Sequence, residues 1–99
     1  MTPPVRPLAR EDLAVVEIDG EAVIYDEATG DLHHLNPTAT IVFALCDGTG
    51  TIPELAADLG AAYGVPSDEV EQQLRTVLRT FRRQGLLEGH PKENGNGHG

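Results

Sequence analysis

A strand pattern meets a helix start within nine residues of this chain, Asp31-Leu32-His33-His34-Leu35-Asn36-Pro37-Thr38-Ala39. Asn36 is a preferred N-cap residue, because its side-chain oxygen accepts a hydrogen bond from a free backbone N–H of the first helical turn. Proline at the first helical position loses no hydrogen bond, so Pro37 begins the helix where the strand stops. The sequence before this junction has the pattern of strands, and the sequence after it has the pattern of helices.

Three strands are predicted before the junction. Residues 13–18 are mostly apolar and β-branched, and Asp19-Gly20 supplies the positive φ angles of a two-residue hairpin turn. Residues 22–25 form the returning strand, and a second turn rich in Asp, Thr and Gly leads into the third strand at about residues 31–35. The pattern predicts a three-stranded antiparallel meander.

Three helices are predicted after it. The first runs from residue 37 to about residue 46, the second begins after a Thr51–Glu54 capping box, and the third spans about residues 68–84 after a Ser67 cap. The apolar stripe of the third helix consists of Val70, Leu74, Val77, Leu78 and Phe81. We therefore predict an α+β fold, a three-stranded antiparallel sheet followed by three helices, that is winged helix-turn-helix-like.

The chain has 99 residues and a formal charge of −9, from 16 acidic and 7 basic residues. One small domain over residues 12–88 is expected, with disordered tails over residues 1–11 and 89–99. The acidic balance disfavours nucleic acid and anionic membranes as partners. No apolar run is long enough for a membrane span or a signal peptide, so a cytoplasmic protein is expected.

The sequence contains no convergent set of nucleophile, base and orienting group. His33 and His34 are adjacent on a strand and point to opposite faces, which prevents joint chelation of one ion. The single cysteine, Cys46, has no second cysteine for a disulfide or a zinc site. These patterns predict a non-catalytic protein that uses no metal and no cofactor.

Four of the seven basic residues lie on the third helix, at Arg75, Arg79, Arg82 and Arg83. They form either a solvated face, with Glu71 paired to Arg75, or a docking surface for an acidic segment or for phosphates. A winged-helix DNA-binding regulator is the alternative function. Base-reading residues usually lie near the start of a recognition helix, where this chain has Asp68 and Glu69, so DNA binding is disfavoured.

An unpaired sheet edge remains as a binding element. The first and third strands of a meander cannot both be protected by strand pairing, and an exposed edge is a template for another chain. A peptide that adds as a fourth strand gains main-chain hydrogen bonds, while a groove between strand and helix selects its side chains. The residues favour a peptide-binding module, and a homodimer formed by edge pairing or strand exchange is a further alternative.

Six segments carry a family resemblance: Gly20-Glu21-Ala22-Val23-Ile24-Tyr25-Asp26, Thr29-Gly30, Leu35-Asn36-Pro37-Thr38-Ala39, Asp47-Gly48, Thr51-Ile52-Pro53-Glu54-Leu55 and Gly85-Leu86-Leu87. Over about residues 12–88 the chain resembles the PqqD family, small peptide-binding proteins that are also called RiPP recognition elements. The resemblance implies a winged-helix-like domain that binds the leader segment of a ribosomally synthesised precursor peptide as an added β-strand. Such a domain is not itself an enzyme and presents the peptide to a modifying enzyme of the same pathway.

The resemblance also implies a binding cleft between the third strand and the third helix. The implied lining residues are Asp31, Leu32, His33, His34 and Leu35 on one side and Val70, Gln73, Leu74, Arg75, Val77 and Leu78 on the other. Many family members carry an aromatic residue where this chain has His33 or His34. Three subgroups stay open: the recognition proteins of lasso-peptide pathways, the chaperone of the cofactor pathway that names the family, and PqqD-like proteins found beside HPr-kinase-like genes.

Overall fold

The computed structural model of the protein describes residues 6–88. The elements follow the chain as strands β1 (Ala14–Ile18), β2 (Glu21–Asp26) and β3 (Asp31–Leu35) and helices α1 (Pro37–Ala44), α2 (Ile52–Tyr63) and α3 (Ser67–Arg83). The sheet is antiparallel with the order β1-β2-β3. The predicted α+β arrangement of three strands followed by three helices is confirmed. No helix within residues 6–88 is long and apolar enough to cross a membrane.

The β1–β2 turn has the positive φ angles that its sequence predicts, 54° at Asp19 and 80° at Gly20. The register places Ile24 of β2 opposite His33 of β3, so both side chains lie on the inner face of the sheet, where they are buried. The residues on either side of them in each strand point to the outer face, where Leu32 is 68% exposed. The inner face of β2 and β3 therefore packs on the helices, whereas all five residues of β1 are exposed.

The strand-to-helix junction is built as predicted. The Ala39 N–H donates to Asn36 Oδ1 at 2.8 Å, and Pro37 is the first residue of α1. The buried Thr40 joins α1 to the sheet, because its hydroxyl accepts from the Ala22 N–H at 3.0 Å and donates to the Leu35 carbonyl at 3.2 Å. The end of β3 is therefore fixed to the first turn of α1.

The connection between α2 and α3 depends on a close backbone approach. A Cβ at Gly60 would lie 2.6 Å from the Val65 carbonyl oxygen, so only glycine fits there. The Val65 N–H donates to the Gly60 carbonyl at 3.0 Å. The predicted Ser67 cap is wrong: Ser67 is the first helical residue, Pro66 occupies the N-cap position, and no side chain caps the helix.

The core gathers side chains from the sheet and all three helices. Its largest fully buried apolar side chains are Ile24, Leu74, Leu78, Phe81 and Leu86. The Phe43 ring of α1 meets the Phe81 ring edge to face, with centroids 5.7 Å apart. At the end of α3 the Leu86 N–H donates to the Phe81 carbonyl and the Gly85 N–H to the Arg82 carbonyl, which is a Schellman motif.

Residues 7–10 belong to the folded domain, so the predicted disorder of residues 1–11 is wrong for this segment. Pro7 accepts a hydrogen bond from the Gly48 N–H, Ala9 donates to the Cys46 carbonyl, and Arg10 donates to the Leu86 carbonyl. Isolated bridges of this kind leave no periodic pattern in the sequence, and proline keeps its carbonyl acceptor. The predictions for residues 1–5 and 89–99 lie outside the described residues.

A buried ion pair fixes this segment to the sheet and to α3. Arg10 Nη1 lies 2.9 Å from Asp26 Oδ2 and donates to the Gly85 carbonyl at 2.8 Å. Asp26 is only 1% exposed. The hydrogen bond from Arg10 lowers the pKa of Asp26, so the carboxylate stays charged in the interior. The ion pair brings the β2–β3 hairpin and the C-terminal end of α3 together.

Candidate peptide-binding groove

A groove runs beside the edge of β3 that does not pair with β2. We call this cavity of about 270 Å³ the strand–helix groove. Its walls are the end of β3 and the start of α1 on one side (His34, Leu35, Asn36, Thr38 and Ala39) and α3 on the other (Thr76, Val77, Thr80, Phe81 and Gln84). Within residues 6–88 no further strand pairs with this edge of β3. Unpaired main-chain groups and a shaped groove therefore lie side by side.

The groove has an apolar floor and a wall of hydrogen-bond acceptors. Leu35, Val77 and Phe81 supply the floor. The Thr76 and Thr80 hydroxyls donate to the carbonyls of Gln72 and Thr76, which leaves their oxygen lone pairs as acceptors. Gln84 Oε1 is buried and has no hydrogen-bond partner among the described residues. A ligand that fits here combines an apolar side chain with N–H donors.

A second cavity of about 260 Å³ continues from the first at Thr38 and lies between α1, α2 and the start of α3; we call it the α1–α3 cavity. Apolar side chains dominate its lining, which consists of Thr38, Ile41, Val42, Leu59, Tyr63, Val65, Val70 and Gln73. Both cavities are smaller than usual small-molecule sites, which span roughly 300–1,000 Å³. They are sized for single side chains of an extended ligand.

Comparison with known proteins accounts for this architecture. Residues 21–87 match the family described as coenzyme PQQ synthesis protein D, PqqD. The chain belongs to the PqqD family. The predicted family is thus confirmed, although no curated protein matches the sequence.

Two solved structures share the fold of this PqqD-family protein. TbiB1, solved in complex with the TbiA(beta) leader peptide, is 26% identical with a TM-score of 0.73, and the match covers 86% of this chain and 99% of TbiB1. A lasso peptide synthetase B1, complexed with the leader peptide, is 19% identical with a TM-score of 0.72 over 84% of this chain and 98% of its own. The second likeness concerns the fold alone.

Five of the eleven site residues expected from the PqqD resemblance line the two cavities. His34, Leu35 and Val77 line the strand–helix groove, whereas Val70 and Gln73 line the α1–α3 cavity. Leu74 and Leu78 line neither cavity, and both are core residues with 1% exposure. They carry the central apolar stripe of α3, and the side chains that reach the groove lie in the adjoining row.

Four other expected residues do not line either cavity. Arg75 is bound to Glu71 at 2.6 Å on the exposed side of α3. On β3, Leu32 points outward and His33 points into the interior, where its Nε2 atom has no hydrogen-bond partner among the described residues. Asp31 lies at the start of the strand. Leu32 and His33 therefore face a bound strand only through their backbone.

The two adjacent histidines of β3, His33 and His34, point to opposite faces of the sheet. The exposed His34 is the histidine at the groove, and its Nε2 atom lies 2.7 Å from Glu21 Oε1. Neither side chain joins a cluster suited to a metal, since residues 6–88 contain no group of three or more His, Cys, Asp or Glu side chains that could hold an ion.

The single cysteine, Cys46, is buried in the core. Burial raises the pKa of its thiol to about 12, so the thiol is protonated.

The sequence did not predict the acceptor wall of the groove. Thr76, Thr80 and Gln84 follow one another at intervals of four residues, which places them in one row beside the apolar stripe of α3. That four-residue spacing is visible in the sequence and indicates that the three side chains share one row of the helix surface. It becomes informative only when the side of α3 that faces β3 is known.

Proposed function

We propose that this PqqD-family protein is a non-catalytic recognition protein that binds the leader segment of a ribosomally synthesised precursor peptide. The peptide adds to β3 as a fourth strand and is thereby presented to a modifying enzyme of the same pathway. The observation that carries the proposal is the strand–helix groove along the unpaired edge of β3. The leader-peptide complex of TbiB1, which is 26% identical over nearly its whole length, supports it.

The energetics assign different roles to the edge and to the groove. Main-chain hydrogen bonds to β3 replace bonds to water, so each contributes only about 0.5–1.5 kcal/mol and is blind to sequence. An apolar side chain buried against Leu35, Val77 and Phe81 contributes about 1.5–3 kcal/mol. We therefore assign affinity for extended chains to β3 and selection among peptides to the groove.

The proposed contacts follow the two cavities. His34, Leu35 and Val77 contact the peptide strand through the groove, and Asp31, Leu32 and His33 contribute the backbone of β3. Val70 and Gln73 contact the part of the peptide that extends past Thr38 into the α1–α3 cavity. Leu74 and Leu78 act indirectly, because they hold α3 in place.

In this proposal the modifying enzyme carries out the catalysis. Precursor peptides are synthesised on ribosomes in the cytoplasm, so the cytoplasm is the proposed location.

DNA binding, the alternative function, is not favoured. The first turn of α3 carries Asp68 and Glu69, and both are exposed where a recognition helix would meet phosphates. These carboxylates would repel the DNA backbone.

The groove is tested by placing a charge in its floor. Val77→Glu should weaken binding of the leader peptide from the protein's own pathway by at least about tenfold, because the carboxylate would lie against Leu35 and Phe81. Ala57→Glu, an exposed position on α2 outside both cavities, is the matched control and should bind normally. Fluorescence polarisation measures the affinity, and circular dichroism confirms that both variants fold. Unchanged affinity of a folded Val77→Glu variant would remove the groove from the proposal.

A further inference from the structure

Three arginines of α3 form no ion pair within residues 6–88, and we call Arg79, Arg82 and Arg83 the arginine cluster. No carboxylate within residues 6–88 lies at salt-bridge distance from any of them, whereas Arg10 and Arg75 both contact carboxylates. The chain has 16 acidic residues, yet none of those within residues 6–88 forms an ion pair with the cluster. The cluster is therefore an open cationic site on a strongly acidic protein.

The position of the cluster is only partly explained by the stability of the helix. Arg82 and Arg83 lie in the last turn of α3, where cations interact favourably with the helix dipole. Arg79 lies outside that turn and is three and four residues from the other two, a spacing at which like charges repel. Arg79 thus adds repulsion within the cluster and no benefit at the helix end.

Two members of the cluster, Arg79 and Arg83, border the strand–helix groove, whereas Arg82 is half-buried. Arg79 lies three residues after Thr76, and Arg83 lies three residues after Thr80, and both threonines line the groove. Residues three apart on a helix are neighbours on its surface. Arg79 and Arg83 are exposed and form the outer rim of the α3 wall, along the C-terminal half of the helix.

The fold determines which part of a bound peptide meets this rim. Arg10 contacts both Asp26 and the Gly85 carbonyl, and Asp26 pairs with Asp31, so the start of β3 lies toward the C-terminal end of α3. A peptide strand antiparallel to β3, like every other pair in this sheet, would run from the Leu35 end toward the Asp31 end. Its C-terminal half would then lie beside the arginine cluster.

We propose that the arginine cluster selects leader peptides with acidic side chains C-terminal to the apolar residue that fills the groove. Guanidinium groups bind carboxylates through charge-assisted hydrogen bonds, and the exposed Arg79 and Arg83 are free to do so. The inference rests on the proposed function and adds the charge class of the peptide and its direction in the groove.

Selection from a library of random displayed peptides tests this inference without knowledge of the natural leader. The immobilised full-length protein should enrich peptides with Asp or Glu after an apolar residue. The Arg79→Glu/Arg83→Glu protein should enrich Lys or Arg at the same positions, and the neutral Arg79→Gln/Arg83→Gln protein should lose the charge preference. For one selected peptide, replacing its acidic residue by Lys should weaken binding to the natural protein by about tenfold and restore binding to the charge-reversed protein.

Two variants in the groove separate failure of this inference from failure of the proposed function. Selected peptides should lose binding to Val77→Glu and also to Ala39→Glu, which changes a half-buried groove residue on α1. Peptides that depend on the groove but show no charge preference would overturn the arginine assignment and leave the proposed function standing. Peptides that bind both groove variants normally would overturn the proposed function itself.

Discussion

The two edge strands of this sheet, β1 and β3, differ in what lies beside them. All five residues of β1 are exposed, and Ile18 is 62% exposed on the outer face. A strand added there would gain main-chain hydrogen bonds but little burial, and the charged Glu17 discourages such pairing. β3 has the same free backbone groups next to the apolar floor and acceptor wall of a groove. The comparison indicates that an edge becomes a selective site only when a second element forms a wall beside it.

The largest expected effect concerns the contact that holds this wall in place. Arg10→Ala should lower the free energy of unfolding by about 3 kcal/mol, because it leaves the carboxylate of Asp26 buried without its partner. Urea denaturation measures the change. Arg79→Ala, which removes an exposed arginine of α3 that forms no ion pair within residues 6–88, should stay within about 0.5 kcal/mol of the natural protein. Equal effects of the two substitutions would contradict the role of Arg10 in positioning α3 against β3.

The same contact predicts a pH dependence. Arg10 lowers the pKa of Asp26 below its ordinary value of 3.8, so the folded state binds this proton less readily than the unfolded state. The stabilisation is fully present above that ordinary value and is lost as the pH falls toward the folded-state pKa. The difference in unfolding free energy between the natural protein and Arg10→Ala should therefore shrink below about pH 4. Urea titrations across this range check it, and a constant difference would refute the ion pair as its source.

The smallest expected effect lies on β1. Val16→Thr together with Ile18→Thr removes exposed apolar groups from the outer face of β1 while keeping β-branched side chains. Affinity for the leader peptide should change by less than about twofold, because no β1 residue lines either cavity. Fluorescence polarisation is again the measurement. A tenfold loss would place β1 in the binding site and remove the distinction between the two edges.

Local features of the fold were predictable because their causes are local. The Asp19-Gly20 turn and the Asn36-Pro37 junction each follow from the conformational preferences of two residues, and both are built as expected. Arg10 and Asp26 are 16 residues apart, and no local pattern links them. The folded state of residues 7–10 was missed for the same reason, since their hydrogen-bond partners lie in distant segments.

The sequence predicted which strand and which helix form the candidate site, but not all of the side chains that line it. The sequence and the PqqD resemblance placed it between β3 and α3, where the groove lies. The PqqD resemblance implied Leu74 and Leu78 as lining residues, but both side chains belong to the apolar stripe that α3 buries in the core. Thr76, Thr80 and Gln84 face the groove because of the way α3 packs beside β3. That orientation is set by tertiary packing, which the sequence pattern of α3 alone does not reveal.

The most direct test of peptide addition to β3 is amide hydrogen exchange of the full-length protein, followed by NMR with and without a bound leader peptide. The account predicts that the β3 amides directed away from β2 become protected when the peptide binds, because they donate to its carbonyls. The amides of β1 should exchange at the same rate in both samples. Protection of β1, or binding that leaves the exchange of β3 unchanged, would contradict the addition of the peptide to β3 as a fourth strand.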